Sequence, residues 1–309
     1  MKQTKIKLAV VGLGGVGGFY GGLLAHKYQA DSTIEIHFIA RGAHLQAMQQ
    51  HGLEVRSKGA TFTAIPSSAT AAIQELGTLD FILLCTKEYD LAETIKQLKP
   101  CVGANTIILP LLNGITAYEN LAKAFPEATV WKGCTYMVSE LVKPGVVENL
   151  SGRQKIVFGL DTGVTEAMSF YEKLFQDAGI KAYVSDEIST AVWEKYLLVS
   201  ASATATSYFD ACIGQVMQDH ADAVEQLLKE GAALAKHKQI ALPLDVTTLI
   251  LDRLRAIPFD STTSMHRDFI AAKNHNELDV MAGYIVKETT LYGASCPTYS
   301  KMYNALRTK

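Results

Sequence analysis

Hydrophobic positions in the first half of the chain fall in short blocks of strand length, separated by stretches with helical spacing. Residues 6–11, IKLAVV, form an unbroken apolar run, the pattern of a central parallel strand covered on both faces. IEIHFIA (34–40) is rich in β-branched and aromatic residues and predicts a second strand. LDFILLCT (79–86) and NTIILPLL (105–112) predict further buried strands. Helical stretches lie between them: FYGGLLAHKY (19–28), EYDLAETIKQLK (88–99) with Leu91, Ile95 and Leu98 on one face, and AYENLAKAF (117–125). The alternation continues through TVWKGCTYMVS, KIVFGL and the helical EAMSFYEKLFQDAG, and closes with IKAYVS (180–185).

From about residue 187 the texture changes. Helical patterns occupy 188–208, 215–238, 244–255, 276–292 and 298–307, and strand-like runs disappear. Alternating strands and helices imply parallel strands joined by right-handed crossovers. The expected architecture is α/β, with a doubly wound parallel sheet of the Rossmann type over residues 1–186. A mostly α-helical domain follows over 187–309.

The segment VGLGGVGGFYGG (11–22) contains seven glycines, although glycine costs about 1 kcal/mol relative to alanine inside a helix. Residues 12–17, GLGGVG, match G-x-G-x-x-G between the first strand and the first helix, the context that gives this motif its meaning. Gly12 serves the tight turn, Gly14 the approach of a pyrophosphate, and Gly17 close packing of helix on strand. With Leu13, Gly15 and Val16 they form the expected cofactor loop, leading into a helix N-terminus that attracts phosphate. Gly18 and Gly22, four residues apart, fall outside the fingerprint and predict a close-packed helix face.

The end of the second strand refines the cofactor. NAD sites usually carry an acid there, but the sequence runs HFIARGAHL, so Arg41 stands where a 2′-phosphate would lie and NADP is expected. Lys87 and Asn113 follow the next two strands at the carboxyl edge of the sheet, where ligands bind. Lys87 is within reach of a phosphate or ribose, and Asn113 of ribose or substrate.

Overall composition excludes other classes. The 309 residues are 48% hydrophobic and 19% charged with a formal net charge of −2, so nothing attracts nucleic acid or anionic membranes. Cys85, Cys101, Cys134, Cys212 and Cys296 are scattered, as in reduced thiols of a cytoplasmic protein. Neither these nor His266 and His275 have metal-ligand spacing, so no metal is expected. The basic start before an apolar run is too short to read as a signal peptide, and no run is long enough to span a membrane.

The stretch VWEKYLLVSASATATSYFDAC (192–212) carries no charge between Lys195 and Asp210, as expected of a buried helix with a lysine at its edge. Val199, Ser202 and Thr206 share the face of Lys195. A lysine so placed is a candidate general acid or a snorkelling surface residue. STTS (261–264) precedes a helix and is suited to capping it or to binding a carboxylate. Glu277 is expected in the first turn of the next helix, either complementing its dipole or orienting a lysine.

Taken in order, GLGGVG, ARGAHL, TKEYDL, LNG, WEKYLL, TSMHRD and NELDVMAG resemble the ketopantoate reductase (2-dehydropantoate 2-reductase) family over essentially the whole chain. The resemblance implies a helical second domain of the 6-phosphogluconate-dehydrogenase type and NADPH-dependent reduction of ketopantoate to pantoate. It implies that Lys195 is the general acid and Glu277 the carboxylate beside it. By the same match, Ser264 binds substrate, Asn113 contacts cofactor and substrate, and Arg41 and Lys87 contact NADP. A homodimer is compatible with the long apolar helices. The chain departs from the family pattern at Val199, Ala203 and Ile213, where asparagines are common, and by one extra residue between Asp268 and Glu277. Ser200, Ser202, Thr204 or Thr206 would replace some of the lost hydrogen bonds. Alternatives are reduction of another 2-oxo acid or an imine, and NADP(H) sensing without turnover.

Overall fold

Strand β1 (Ile6–Val11) lies between β2 (Ile34–Ile39) and β6 (Phe81–Leu84), with Leu8 in register with Ile36 on one side and Phe81 on the other. The sheet is completed by β5 (Ser68–Thr70), β7 (Ile107–Pro110) and β8 (Thr129–Val130) in the order β5-β2-β1-β6-β7-β8, parallel throughout. This is the Rossmann order, and it reverses between β1 and β6, the point at whose carboxyl edge ligands of this fold bind. Successive side chains of a strand point to opposite faces. Leu8, Val10, Phe81, Leu83 and Leu109 therefore enter one core, and Ala9, Val11, Ile82, Leu84 and Ile108 the other. Helices α3 (Leu91–Leu98) and α4 (Thr116–Ala124) cover the second face.

Helix α1 (Gly15–Tyr28) covers the first face and is itself covered. Its outer side meets a second sheet, β10-β11-β3-β4, built from β3 (Leu53–Ser57), β4 (Ala60–Ala64), β10 (Ser139–Lys143) and β11 (Val146–Asn149). Helix α2 (Gly42–His51) leads into this sheet. A third sheet, β13-β12-β9, joins β9 (Lys132–Thr135), β12 (Ile156–Gly159) and β13 (Ala182–Val184) beside α5 (Glu166–Asp177). The strands over 53–70 and 140–149 have no counterpart in the sequence reading. They are short, and β10 is largely exposed, so no apolar block marks them.

The structure is a computed structural model that describes residues 5–308, and the chain divides into two compact units. One takes the chain up to Leu112 with Ala117–Ile188; the other takes Asn113–Thr116 and the chain from Ser189 onward. The second is helical. Helix α6 (Ile188–Phe209) is packed by α7 (Ile213–Asp219), α8 (Ala221–His237), α9 (Val246–Arg255), α10 (Ser264–Ile270), α11 (Tyr284–Leu291) and α12 (Pro297–Leu306). Two long helical patterns are interrupted. The expected helix 215–238 breaks at His220, and the one over 276–292 opens with a π-turn at Asp279–Gly283.

The glycines of α1 explain its position. A Cβ on Gly18 would lie 2.6 Å from Val147 Cγ1, and one on Gly22 would collide with Val55 Cγ2. On the other side, a Cβ on Gly21 would press on Phe38 and Val10 at 3.2 Å. The close-packed face expected at Gly18 and Gly22 is therefore present, against the second sheet. Substituting Leu at either position is expected to lower unfolding stability by about 1–3 kcal/mol through overpacking. Gly103→Ala, which would meet only Thr78 Cγ2 at 3.4 Å, should leave the urea midpoint unchanged. Burial also holds His37 and His44 below the usual imidazole value of 6.5. The unfolded chain then binds protons first, so their contribution to stability is complete above pH 6.5 and declines as pH falls below it. Glutamine at both positions should flatten that part of a urea midpoint–pH profile.

Candidate active site

The cofactor loop begins where β1 ends. Gly12 adopts φ +89°, its N–H donates to Ile39 O at 3.1 Å, and a Cβ there would lie 2.7 Å from Thr86 N. A Cβ on Gly17 would collide with the Gly12 carbonyl oxygen and crowd Cys85 at 2.8 Å. Gly15 is closed by the backbone of Ser139 in β10. Gly14 differs, because a Cβ there would meet nothing within 4 Å. The loop is thus sealed against the sheet at Gly12 and Gly17 and open at Gly14.

Helix α1 starts with no side-chain cap and no acid in its first turn, so its leading N–H groups suit an anion. Thr86 Oγ1, beside this loop, is buried without a hydrogen-bond partner among the described residues. An open approach, an uncapped helix start and an orphaned hydroxyl fit a dinucleotide pyrophosphate. Burial pushes the Cys85 thiol well above its usual range, so it stays protonated and unreactive.

Arg41 follows β2 as the N-cap of α2, and no acid stands there. Its guanidinium pairs with the Asp90 carboxylate at 3.0 Å, a partner the sequence reading missed although Asp90 lies in the TKEYDL stretch. Lys87 leads the 3-10 turn Glu88–Asp90 that follows β6.

In the second unit, Lys195 Nζ donates to Asn113 Oδ1 at 3.1 Å. Asn113 follows β7 in the chain as expected, and the segment Asn113–Thr116 is grouped with the helical unit that holds Lys195. Helix α6 is also hydrogen-bonded to the π-turn. Tyr196 OH donates to the carbonyls of Val280 and Met281 at 3.0 and 2.7 Å, and Ser200 Oγ to that of Met281 at 3.1 Å. Burial raises the Tyr196 phenol far above its usual value, which keeps it a donor. Glu277 is buried immediately before this turn, and its backbone carbonyl accepts from Met281 N. That bond opens the helix, so Glu277 stands at its N-cap, one residue before Leu278, whose N–H donates to Asn276 Oδ1 at the same end.

The hydroxyl cluster divides its work. Thr263 caps α10 by accepting from His266 N and pairs with Thr206 at 2.9 Å. Thr262 pairs with His266 Nδ1, whose Nε2 meets Asp210 at 2.9 Å. Ser264 opens the helix. Val199, Ala203 and Ile213 bring no polar group to this region. Three of the hydroxyls expected to replace some of the asparagine hydrogen bonds are engaged within the fold. Ser200 serves Met281, Ser202 bonds back to Leu198 O, and Thr206 to Ser202 O. Thr204 Oγ1 is buried without a hydrogen-bond partner among the described residues.

Residues 8–163 match the family described as Ketopantoate reductase PanE/ApbA, and residues 187–309 match its C-terminal counterpart. The chain belongs to the ketopantoate reductase family. It is thus one of a family of NADPH-using oxidoreductases that act on CH–OH groups. The crystal structure of 2-dehydropantoate 2-reductase from Porphyromonas gingivalis W83 is 36% identical, with a TM-score of 0.87 and coverage of 98% of this chain and 99% of that one. The 2-dehydropantoate 2-reductase of Pyrococcus horikoshii is 27% identical over 98% of this chain and 97% of its own length. An uncharacterized oxidoreductase of Bacillus subtilis, YkpB, is 25% identical over 98% of both chains.

The two ends of the loop should respond differently to a methyl group. Gly17→Ala is expected to lower the melting temperature, since the added carbon meets backbone. Gly14→Ala should melt like the parent yet bind NADPH at least several-fold more weakly, as read by fluorescence titration.

Proposed function

We propose that this protein reduces 2-dehydropantoate to pantoate with NADPH, a step toward pantothenate and coenzyme A, in the cytoplasm. The reading is carried by the hydrogen bond from Lys195 to Asn113, which holds an ammonium at the edge of a helix that carries no charge from Tyr196 to Phe209. Bound NADPH supplies the hydride to the substrate carbonyl carbon. Lys195 stabilises the charge growing on the carbonyl oxygen and then gives it a proton. Asn113 accepts from the ammonium, and its amide nitrogen remains a donor toward cofactor or substrate. Glu277 favours the charged lysine, as a nearby carboxylate does, and Ser264 holds the substrate carboxylate. The Gly12–Gly17 loop and the start of α1 hold the pyrophosphate, while Arg41 and Lys87 take the 2′-phosphate.

One observation favours a second substrate. Val199, Ala203 and Ile213 are apolar, and the neighbouring hydroxyls of Ser200, Ser202 and Thr206 are engaged within the fold. A site lacking those amides discriminates poorly for the hydroxyl of ketopantoate. A branched 2-oxo acid without that hydroxyl is then the alternative substrate.

NADPH oxidation followed by absorbance decides between them. Faster turnover of ketopantoate than of its deoxy analogue 3,3-dimethyl-2-oxobutanoate supports the first reading, and the reverse order supports the second. Oxidation with neither would leave a sensor of NADP(H). Lys195→Ala is expected to lower kcat by about 10²–10⁴ while NADPH still binds; an unchanged maximal rate removes Lys195 from the chemistry. Arg41→Ala should weaken NADPH binding by about 10- to 100-fold, the scale of a lost charge-assisted pair, and leave NADH binding nearly unchanged.

A further inference from the structure

His44 stands in the first turn of α2, three residues beyond Arg41, and both of its ring nitrogens are engaged. The backbone N–H of Gly145, in the turn between β10 and β11, donates to Nδ1 at 2.9 Å. Nε2 lies 2.8 Å from the carbonyl oxygen of Leu13, inside the cofactor loop. A backbone N–H can only donate and a carbonyl can only accept, so the contacts themselves fix the tautomer. The lone pair is on Nδ1, and the proton is on Nε2 and donated to Leu13. A second proton on the ring would set N–H against N–H at Gly145.

The Leu13 carbonyl shares a rigid peptide plane with the N–H of Gly14 and points the opposite way. Holding that carbonyl therefore aims the Gly14 N–H away from His44. Gly14 is the loop residue with open space before it. The same imidazole fastens α2, which carries Arg41 at its N-cap. On the far side of the ring the anchor is tight: a Cβ on Gly145 would lie 2.9 Å from Ala47 Cβ.

We propose that His44 is a positioning residue for the cofactor, a neutral imidazole that sets the orientation of the pyrophosphate loop and its register with Arg41. The proposal rests on the dinucleotide reading of that loop. It assigns to His44 a part in binding and none in hydride or proton transfer. The Leu13 bond carries the function, and the Gly145 bond holds the imidazole in place.

The two bonds can be separated by substitution in the full-length protein. Glutamine places an amide N–H near the Nε2 position and keeps the donation to Leu13. Asparagine places its amide oxygen near the Nδ1 position and keeps only the bond from Gly145. NADPH and NADH affinities, KM for NADPH, kcat and melting temperature are measured for His44→Gln, His44→Asn and His44→Ala. His44→Ala and His44→Asn are expected to raise the Kd and KM for NADPH about tenfold, the scale of one lost hydrogen bond. kcat at saturating NADPH should stay within about twofold, and His44→Gln should recover most of the affinity. Preference for NADPH over NADH should fall in His44→Ala, because the helix bearing Arg41 is loosened. Asparagine binding NADPH as well as glutamine does would overturn the proposal, as would kcat falling in step with affinity. If the parent protein binds NADPH and His44→Ala binds it equally well, the proposal alone fails. If the parent binds no dinucleotide, the cofactor reading fails with it.

Discussion

The first unit depends on how closely a helix backbone can approach two sheets at once. Helix α1 meets the parallel sheet through Gly17 and Gly21 and the second sheet through Gly15, Gly18 and Gly22. Each interior glycine costs helix stability of about 1 kcal/mol relative to alanine. The return is burial on both sides, including Val10, Phe38, Val55 and Val147, each almost free of solvent. With side chains in the way, the helix would stand off from β1, and the turn at Gly12 would lose its contact with Cys85 and Thr86. The loop Gly12–Gly17 is thus shaped by packing.

The second unit solves its own version of the problem with small residues in α6. Ala201, Ala203 and Ala205 are buried, and the hydroxyls of Ser202 and Thr206 satisfy local carbonyls or a neighbouring element. Tyr196 and Ser200 take up Val280 and Met281 carbonyls in the π-turn, where i→i+5 pairing departs from the regular α ladder. These bonds join α6 to the segment just after Glu277, one residue along α6 from Lys195.

Much of this was legible in the sequence because burial on both faces leaves an unbroken apolar run. IKLAVV, FILL and IILP are such runs, and they are the central strands. Strand β10, SELVK, has one residue half-buried and the rest exposed, so it writes no such signal. The π-turn was hidden as well, because its sequence keeps helical spacing and only the carbonyl partners on α6 reveal it. For the site, glycines and charges were readable singly. Pairings were not: Asn113 with Lys195, Arg41 with Asp90, and His44 with Leu13 join residues 31 to 82 positions apart in the two cases that bridge the longest and shortest measured spans.

The Arg41–Asp90 pair bears on the choice of cofactor under the reading proposed above. A carboxylate at the end of β2 itself would be fixed in the sheet frame and would repel a 2′-phosphate. Here the carboxylate comes from Asp90, after β6, and is held by an arginine that is 76% exposed. A pair so placed contributes only about 0–1 kcal/mol, so displacing it costs little. A phosphate offers more negative charge and several acceptor oxygens, and takes the guanidinium through two parallel bonds. A ribose hydroxyl brings no charge to replace the one it displaces. Under that reading, Asp90 would keep Arg41 occupied against the unphosphorylated dinucleotide and yield it to the phosphorylated one.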